Sequence, residues 1–322
     1  MLKAEEKIKK AALSTIENEW KSIKKLNESI NDQFVGAVDL LYKSKGRVIV
    51  TGIGKSANIA QKIVATFNST GTPSIFMHAA DAIHGDLGIV RKDDVVIAIS
   101  KSGETPEVKV LIPLLKSMRN PIIALVGNVN SYLALQSDFV VDATVDKEAC
   151  PNNLAPTSST TAQLVMGDAL AVSLLELRGF SADDFARFHP GGALGKRMYL
   201  RVSDLSQQNE KPAVDVLSLM PEVIIEISSK RLGTTAVIKN KKLVGVITDG
   251  DLRRMIEKNK DFSWIRAEDV MTQKPMTISG DELVVAALDI MRQNNITQLP
   301  VVNDEEYMGI IHLHDILREG II

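Results

Sequence analysis

The sequence predicts an α/β fold in which a parallel sheet of five strands, flanked by helices, precedes a smaller α+β unit. Three observations carry the prediction. Five short apolar runs alternate with helix-length segments between Arg47 and Val141. The third run is followed by a hydroxyl-rich turn, Ser100-Lys101-Ser102-Gly103-Glu104-Thr105. The last third of the chain repeats itself weakly, as one supersecondary unit used twice would.

To about Tyr42 the chain reads as a single helix. Leu13, Ile16, Trp20, Ile23, Ile30, Phe34, Ala37 and Leu41 fall on a heptad-type seam interrupted by Asn27. Two readings stay open: an amphipathic helix lying on its own domain, or one packed against another subunit. Arg47-Val48-Ile49-Val50 is the first strand, with the turn Thr51-Gly52-Ile53-Gly54-Lys55-Ser56 and a helix from Asn58 to Asn68 behind it. Pro73 to Met77 is the second strand, Asp94 to Ile99 the third, Pro121 to Val126 the fourth and Phe139 to Val141 the fifth; Thr160 to Arg178 is a long apolar helix. Strands and helices alternating at this spacing make a parallel sheet covered on both faces. Ligands of such sheets sit at the carboxyl ends of the strands, so the Gly52 and Ser100 turns share one edge. A phosphate at the Ser100 turn would meet free backbone N–H groups, a helix N-terminus and three hydroxyls, with no metal required.

After Gly179 the pattern changes. His189-Pro190-Gly191-Gly192 opens a loop and Ser206 to Pro212 is a polar linker. Beyond it Leu243 to Leu252 aligns with Tyr307 to Ile316, and Thr234 to Ile238 with Gln298 to Val302. The totals exclude classes of function and choose none. The 322 residues suffice for two domains, with 45% apolar and 24% charged residues. A net charge of −2 calls for neither nucleic acid nor an anionic membrane. No run approaches the roughly 20 apolar residues of a membrane span, and the start lacks a signal-peptide core. A lone cysteine, Cys150, fits a reducing cytoplasm.

Residues from about 37 to 180 resemble the sugar isomerase (SIS) domain, whose hallmark is the hydroxyl-rich turn after the third strand. Residues from about 210 to 322 resemble a pair of cystathionine-β-synthase (CBS) modules. The domain order, with Gly-Ile-Gly-Lys-Ser, His-Gly-Asp-Leu-Gly, Glu-Ala-Cys-Pro, Leu-Ala-Pro-Thr-Ser-Ser-Thr-Thr and His-Pro-Gly-Gly-Ala-Leu-Gly, is similar to bacterial arabinose-5-phosphate isomerases. The resemblance implies segments at 1–36 (N-terminal helix), 37–180 (SIS), 181–209 (linker with the His-Pro-Gly-Gly loop), 210–268 and 269–322 (the CBS modules). It implies interconversion of D-ribulose 5-phosphate and D-arabinose 5-phosphate, feeding synthesis of Kdo, the eight-carbon acid of lipopolysaccharide and some capsules. It also implies a cytoplasmic homotetramer with sites shared between subunits. The first CBS module reads as about ten residues short of the second, lacking its first strand. Thr248 and Asp251 keep the Thr-x-x-Asp arrangement that binds ribose in nucleotide-binding pairs, whereas the second module has His312 and Asp315. That difference argues against a nucleotide ligand.

Aldose–ketose isomerisation moves a proton between adjacent carbons through an enediol. It needs a base, a cation or donor near the developing oxyanion, and a group that opens the sugar ring, but no redox cofactor. Glu107, in the first turn of the helix behind the phosphate turn, is by itself a glutamate favoured by the helix dipole; the resemblance makes it catalytic. Glu148 would by itself be a solvated loop carboxylate; the resemblance makes it the preferred general base. Cys150 reads as a small packed residue, since no covalent intermediate is required. Lys55, after Gly52 and Gly54, suits a sugar phosphate or an enediolate. The dinucleotide reading of that Gly-x-Gly fails on Ala57 and on the absence of an acidic residue after strand two. His189 is implied in ring opening, reaching a neighbouring subunit's site. Gly71, Thr72, His78 and His84 match substrate contacts, and zinc at His78 would only inhibit. Ser100, Ser102 and Thr105 hold the phosphate. Competing functions are a sugar-phosphate sensor, disfavoured because no helix-turn-helix precedes the sheet, and an isomerase of another sugar phosphate, disfavoured by the CBS pair.

Overall fold

The computed structural model describes residues 2–258 and 261–321, in two units, Met1–Phe188 and His189–Ile322. The first unit carries α1 (Leu2–Lys25), α2 (Asp32–Lys43), β1 (Val48–Gly52), α3 (Lys55–Ser69), β2 (Ser74–His78), α4 (Ala79–Ala82), β3 (Val95–Ser100), α5 (Pro106–Ser117), β4 (Ile122–Val126), α6 (Tyr132–Gln136), β5 (Phe139–Asp142), α7 (Ser158–Arg178) and α8 (Ala182–Phe188). Its five strands form one parallel sheet in the order β2-β1-β3-β4-β5. The α/β architecture with five parallel strands is therefore as the sequence predicts.

Successive strand residues face opposite sides of a sheet, and here both sides are buried. Val48, Val50, Ile97, Ile99, Ile123, Leu125 and Val141 pack on the face covered by α2, α3 and α7. Ile49, Val96, Ala98, Ile122, Ala124 and Val126 pack on the other, under α4, α5 and α6. Burial on both faces explains why the strands read as continuous apolar runs. By length and composition α7 could span a membrane, contrary to the expectation that no run is long enough. Its Ala162, Met166, Leu170 and Leu174 are nonetheless buried against the sheet, as in the core helix of a globular domain.

The N-terminal seam is not one helix. α1 ends at Lys25, a 3-10 turn covers Leu26–Ser29, and Asn31 starts α2 by accepting the Gln33 and Phe34 N–H groups at 3.0 and 3.3 Å. The break splits the seam in function. Phe34, Ala37 and Leu41 on α2 are buried, while Leu13, Ile16 and Trp20 on α1 remain 68%, 66% and 53% exposed.

The second unit carries α9 (Ala193–Tyr199), α10 (Val202–Ser206), β6 (Ala213–Asp215), α11 (Met220–Lys230), β7 (Thr234–Lys239), β8 (Lys242–Thr248), α12 (Asp249–Lys258), α13 (Ala267–Val270), β9 (Thr272–Gln273), β10 (Ile278–Ser279), α14 (Val284–Asn294), β11 (Gln298–Asn303), β12 (Glu306–His312) and α15 (Leu313–Arg318). Its mixed sheet runs β10-β11-β12-β8-β7-β6, with β9 on β8. The internal repeat is real: β7–β8 and β11–β12 are antiparallel pairs with a register shift at matching positions, Val237/Ile238 and Val301/Val302. The strand expected to be missing from the first module is present. β6 pairs in parallel with β7 just as β10 does with β11. The module looked short because its opening helix, α10, lies in the span read as linker. Reciprocal bonds show the equivalence of the modules: Val202 N–H donates to Glu282 O, and Ala267 N–H to Ser218 O, both at 2.9 Å.

Candidate active site at the carboxyl edge of the parallel sheet

Gly52 and His78 end their strands level with Ile99, and Ser100 and Val126 end theirs one residue further on. The turn behind β3 closes tightly. Gly103 has φ 66°, and a Cβ there would lie 2.0 Å from Ser131 Oγ, so only glycine fits. The backbone N–H groups are not all free, as the sequence reading supposes. Gly103 N–H donates to Ser100 Oγ at 3.0 Å and Glu104 N–H to Ser102 Oγ at 3.2 Å. Both hydroxyls thereby act as acceptors and keep their own protons for a ligand. Thr105 occupies the N-cap of α5 without capping it, and its Oγ1 is buried with no hydrogen-bond partner. A buried hydroxyl left unpaired is costly, so a ligand oxygen is the natural partner.

Beside this turn lies a cavity of about 250 Å³, small next to the sites of drug-sized ligands. Three segments wall it: Ile53, Lys55 and Ser56 at the start of α3, Ser100, Lys101, Ser102 and Thr105 behind β3, and Pro156, Ser159 and Thr160 at the start of α7. Six hydroxyl side chains and two lysines stand on the wall among Ile53, Ile99 and Pro156, a donor set suited to a small anion. Gly54, with φ 57° and open space around it, turns the chain so that Lys55 begins α3 at the cavity.

Glu148 is not the solvated loop carboxylate that its sequence context alone suggests. It is 2% exposed and sits at the N-terminus of α7. Thr157 N–H and Ser159 N–H donate to Oε2 at 2.8 and 3.1 Å, Thr157 Oγ1 donates to Oε2 at 3.2 Å, and Ser159 Oγ donates to Oε1 at 2.5 Å. Lys101 Nζ lies 2.6 Å from Oε1. Burial pushes the carboxyl up, but Lys101, the Ser159 hydroxyl and the two N–H groups outweigh it and hold its pKa at about 2. The carboxylate lies behind Lys101 and Ser159, outside the cavity wall itself. Two residues on, four backbone N–H groups, those of Ala155, Leu154, Asn152 and Asn153, lower the Cys150 thiol against the effect of burial.

The other expected residues are distributed unevenly. Glu107 stands half-buried in the first turn of α5, also off the cavity wall. Glu104 is engaged elsewhere, with Lys109 and with Tyr132 N–H, each at 2.6 Å. His78 ends β2 at the carboxyl edge, its Nδ1 3.6 Å from Asp81 Oδ2 and without a hydrogen bond, while His84 is exposed beyond α4. Among the described residues no three His, Cys, Asp or Glu side chains are grouped to hold a metal. Gly71 and Thr72 lie at the opposite, amino edge, because they precede β2. There the Arg178 guanidinium donates to Gly71 O at 3.1 Å and to Thr72 Oγ1. This chain does not bring that pair to the Ser100 turn. His189 opens the second unit in a turn whose Gly192 N–H donates to its carbonyl at 3.2 Å.

Sequence reasoning missed Lys101, Ser56, Ser159 and Thr160. The lysine set among hydroxyls and the run Thr157-Ser158-Ser159-Thr160-Thr161 at a helix start were the available signals. In the second unit, Thr248 Oγ1 donates to Asp251 Oδ2 at 2.7 Å and Arg254 donates to Oδ1 at 2.6 Å, on the wall of a cavity of about 360 Å³. Both oxygens of the Asp251 carboxylate in the Thr-x-x-Asp arrangement therefore accept hydrogen bonds from within the chain.

A SIS domain model matches residues 40–173 and a CBS domain model residues 267–321. Arabinose 5-phosphate isomerase KdsD of Pseudomonas aeruginosa is 46% identical over 315 residues, 97% of each chain. KdsD of Escherichia coli K12 is 44% identical over 306 residues, 94% of this chain and 93% of that one. A solved structure from E. coli CFT073, in complex with arabinose 5-phosphate, is 43% identical, with a TM-score of 0.56 over 57% of this chain and 98% of that one.

Proposed function

Because the chain belongs to the arabinose 5-phosphate isomerase family, we propose that it interconverts D-ribulose 5-phosphate and D-arabinose 5-phosphate through an enediol. The observation that carries the reading is the small cavity at the carboxyl edge, where three hydroxyls, one of them unpartnered, converge with two lysines. Ser100, Ser102 and Thr105 take the phosphate and fix the sugar by its far end. Lys55 stands beside the oxygen that gains charge as the enediolate forms. Glu148, ionised throughout the working pH range, removes the proton from one carbon and returns it to the neighbouring one. Glu107 is the second carboxylate at this edge, and His189 opens the ring.

His78 and His84 contact the sugar, and zinc at His78 would inhibit. Gly71 and Thr72 lie at the other edge in this chain, so their contact with substrate comes from a second copy. The exposed Leu13, Ile16 and Trp20 on α1 give such copies an apolar face, in keeping with a homotetramer. The product feeds Kdo synthesis in the cytoplasm. Neither a metal nor a redox cofactor enters the scheme.

The test is to profile purified protein against pentose, hexose and heptose phosphates, with the reaction run in heavy water. Turnover confined to the pentose pair, with deuterium at C2 of the aldose, is expected. No product and no exchange would overturn the reading, and a monomer by light scattering would overturn the shared site.

A further inference from the structure

Lys101 joins the cavity to the buried carboxylate behind it. Its Nζ lies 2.6 Å from Glu148 Oε1, while its side chain stays 48% exposed on the cavity wall. It sits between Ser100 and Ser102, the two serines assigned to the phosphate. Its backbone is fixed, because Gly127 N–H donates to Lys101 O at 3.1 Å. The ammonium can therefore swing on its flexible stem while the turn stays still. Glu148 keeps its place if Lys101 leaves, since Thr157 and Ser159 supply its other donors.

We propose that Lys101 serves two anions in turn. It neutralises Glu148 in the empty site and passes to the substrate phosphate when the cavity fills, which frees the carboxylate to accept the proton. The inference rests on the isomerase reading and deepens it. A doubly charged phosphate competes well for a lysine held by a single carboxylate. The exchange makes Glu148 a stronger base only once substrate is in place. Other charged or titratable groups near Glu148 are accounted for. Lys55 of α3 shares the cavity wall. Glu19 of α1 accepts from Thr161 Oγ1 at 3.2 Å, and Asp146 pairs with Lys25. Lys147 and the Cys150 thiol belong to the same loop. Among the described residues, Lys101 is the cation ion-paired with Glu148.

The test uses the full-length chain and two variants, Lys101→Gln and Lys101→Arg. Lys101→Gln is expected to raise KM roughly ten- to a hundredfold and to weaken binding of inorganic phosphate, measured by calorimetry, by a similar factor. It should also give a ratio of variant to wild-type kcat/KM that falls as the pH is lowered. That fall arises because Glu148 without its cation protonates at higher pH, whereas the titration of the substrate phosphate is common to both proteins and cancels. Unchanged KM and phosphate affinity, or a flat ratio, would overturn the hand-over. Should Lys101→Gln fail to fold, Lys101→Arg carries the test. Its planar fork holds a carboxylate bidentately, so a lowered kcat is expected, and wild-type kinetics would overturn the proposal. A wild-type chain inactive on pentose phosphates refutes the isomerase reading itself. An active wild type beside an unaffected Lys101→Gln refutes this inference alone.

Discussion

The parallel sheet buries a carboxylate against a cation at each of its edges, and the two pairs are built to opposite ends. At the amino edge Asp94 accepts Arg47 Nη2 at 2.7 Å, Arg47 N–H at 2.8 Å and Arg91 N–H at 2.9 Å. The same Arg47 nitrogen also donates to Ile89 O at 2.8 Å, and Asn120 bridges the Arg91 and Asp94 carbonyls. That pair is closed, and it ties the starts of β1 and β3 together. At the carboxyl edge Glu148 is as deeply buried, yet its partner is a lysine about half exposed beside a cavity. A rigid guanidinium fork suits a fixed joint, whereas a lone ammonium on a flexible stem suits a site where a ligand arrives. Burial of charge alone does not mark function here. The openness of the cation does.

The comparison breaks most readily at the closed pair. Removing one partner of a buried ion pair costs roughly 3–5 kcal/mol, so Asp94→Ala should lower the unfolding free energy by that amount in urea titrations. The surviving folded fraction should keep its KM. A raised KM would mean that the amino edge communicates with the site. Glu148→Gln should do the reverse in kind. General-base loss reduces turnover roughly 10²–10⁴-fold, while KM stays level or falls because Lys101 becomes available to the phosphate. Full activity in Glu148→Gln would remove it as the base and move that role to Glu107.

Acid separates the two pairs further. Glu148 has a folded pKa of about 2 against an ordinary value of 4.5. A depressed carboxyl stabilises the fold above its unfolded pKa and loses that contribution as pH falls through the folded one. At about 1.4 kcal/mol per pH unit, Glu148 contributes about 3 kcal/mol that disappears between pH 4.5 and about 2. Asp94 shifts the same way: burial raises it, and Arg47 with the Arg91 and Arg47 N–H groups brings it below its ordinary value. Acid titration of the unfolding free energy should therefore flatten partly in Glu148→Gln and retain the Asp94 share. An unchanged slope in that variant would show that Glu148 is not held as the structure has it.

Much of this was legible in the sequence, for reasons that are themselves physical. Strands buried on both faces declare themselves as unbroken apolar runs, and the Ser100 turn announces itself by composition. The break before α2 stayed hidden because Phe34, Ala37 and Leu41 keep the seam's phase across the turn that Asn31 ends. β6 was missed because three residues after Pro212 carry too little pattern to read. The contact of Lys101 with Glu148 lies beyond local reading altogether. It exists because the chain leaving the edge strand β5 crosses to α7, which packs on α3, and so brings its loop and the start of α7 beside the turn behind β3. Gly71 and Thr72 show the converse: their place before a strand already assigns them to the amino edge, whatever resemblance implies for their role.

The finest test of what the cavity adds at the carboxyl edge uses two hydroxyls that the fold leaves unpartnered. Thr105 Oγ1 and Thr51 Oγ1 are both buried without a hydrogen bond, but Thr105 lies on the cavity wall whereas Thr51 is enclosed within β1. Valine has nearly the shape of threonine and lacks the hydroxyl, so Thr→Val at either site removes an unpaired polar atom. Replacing an unsatisfied hydroxyl by a methyl group is neutral or stabilising by up to about 1 kcal/mol, and both variants should melt at or slightly above the wild-type temperature. Only Thr105→Val removes a donor that meets the phosphate, so only that variant should raise KM, by roughly tenfold for one charge-assisted bond. Equal KM values in the two variants would mean that Thr105 is no more than a buried orphan, and the phosphate would then rest on Ser100, Ser102 and Lys101.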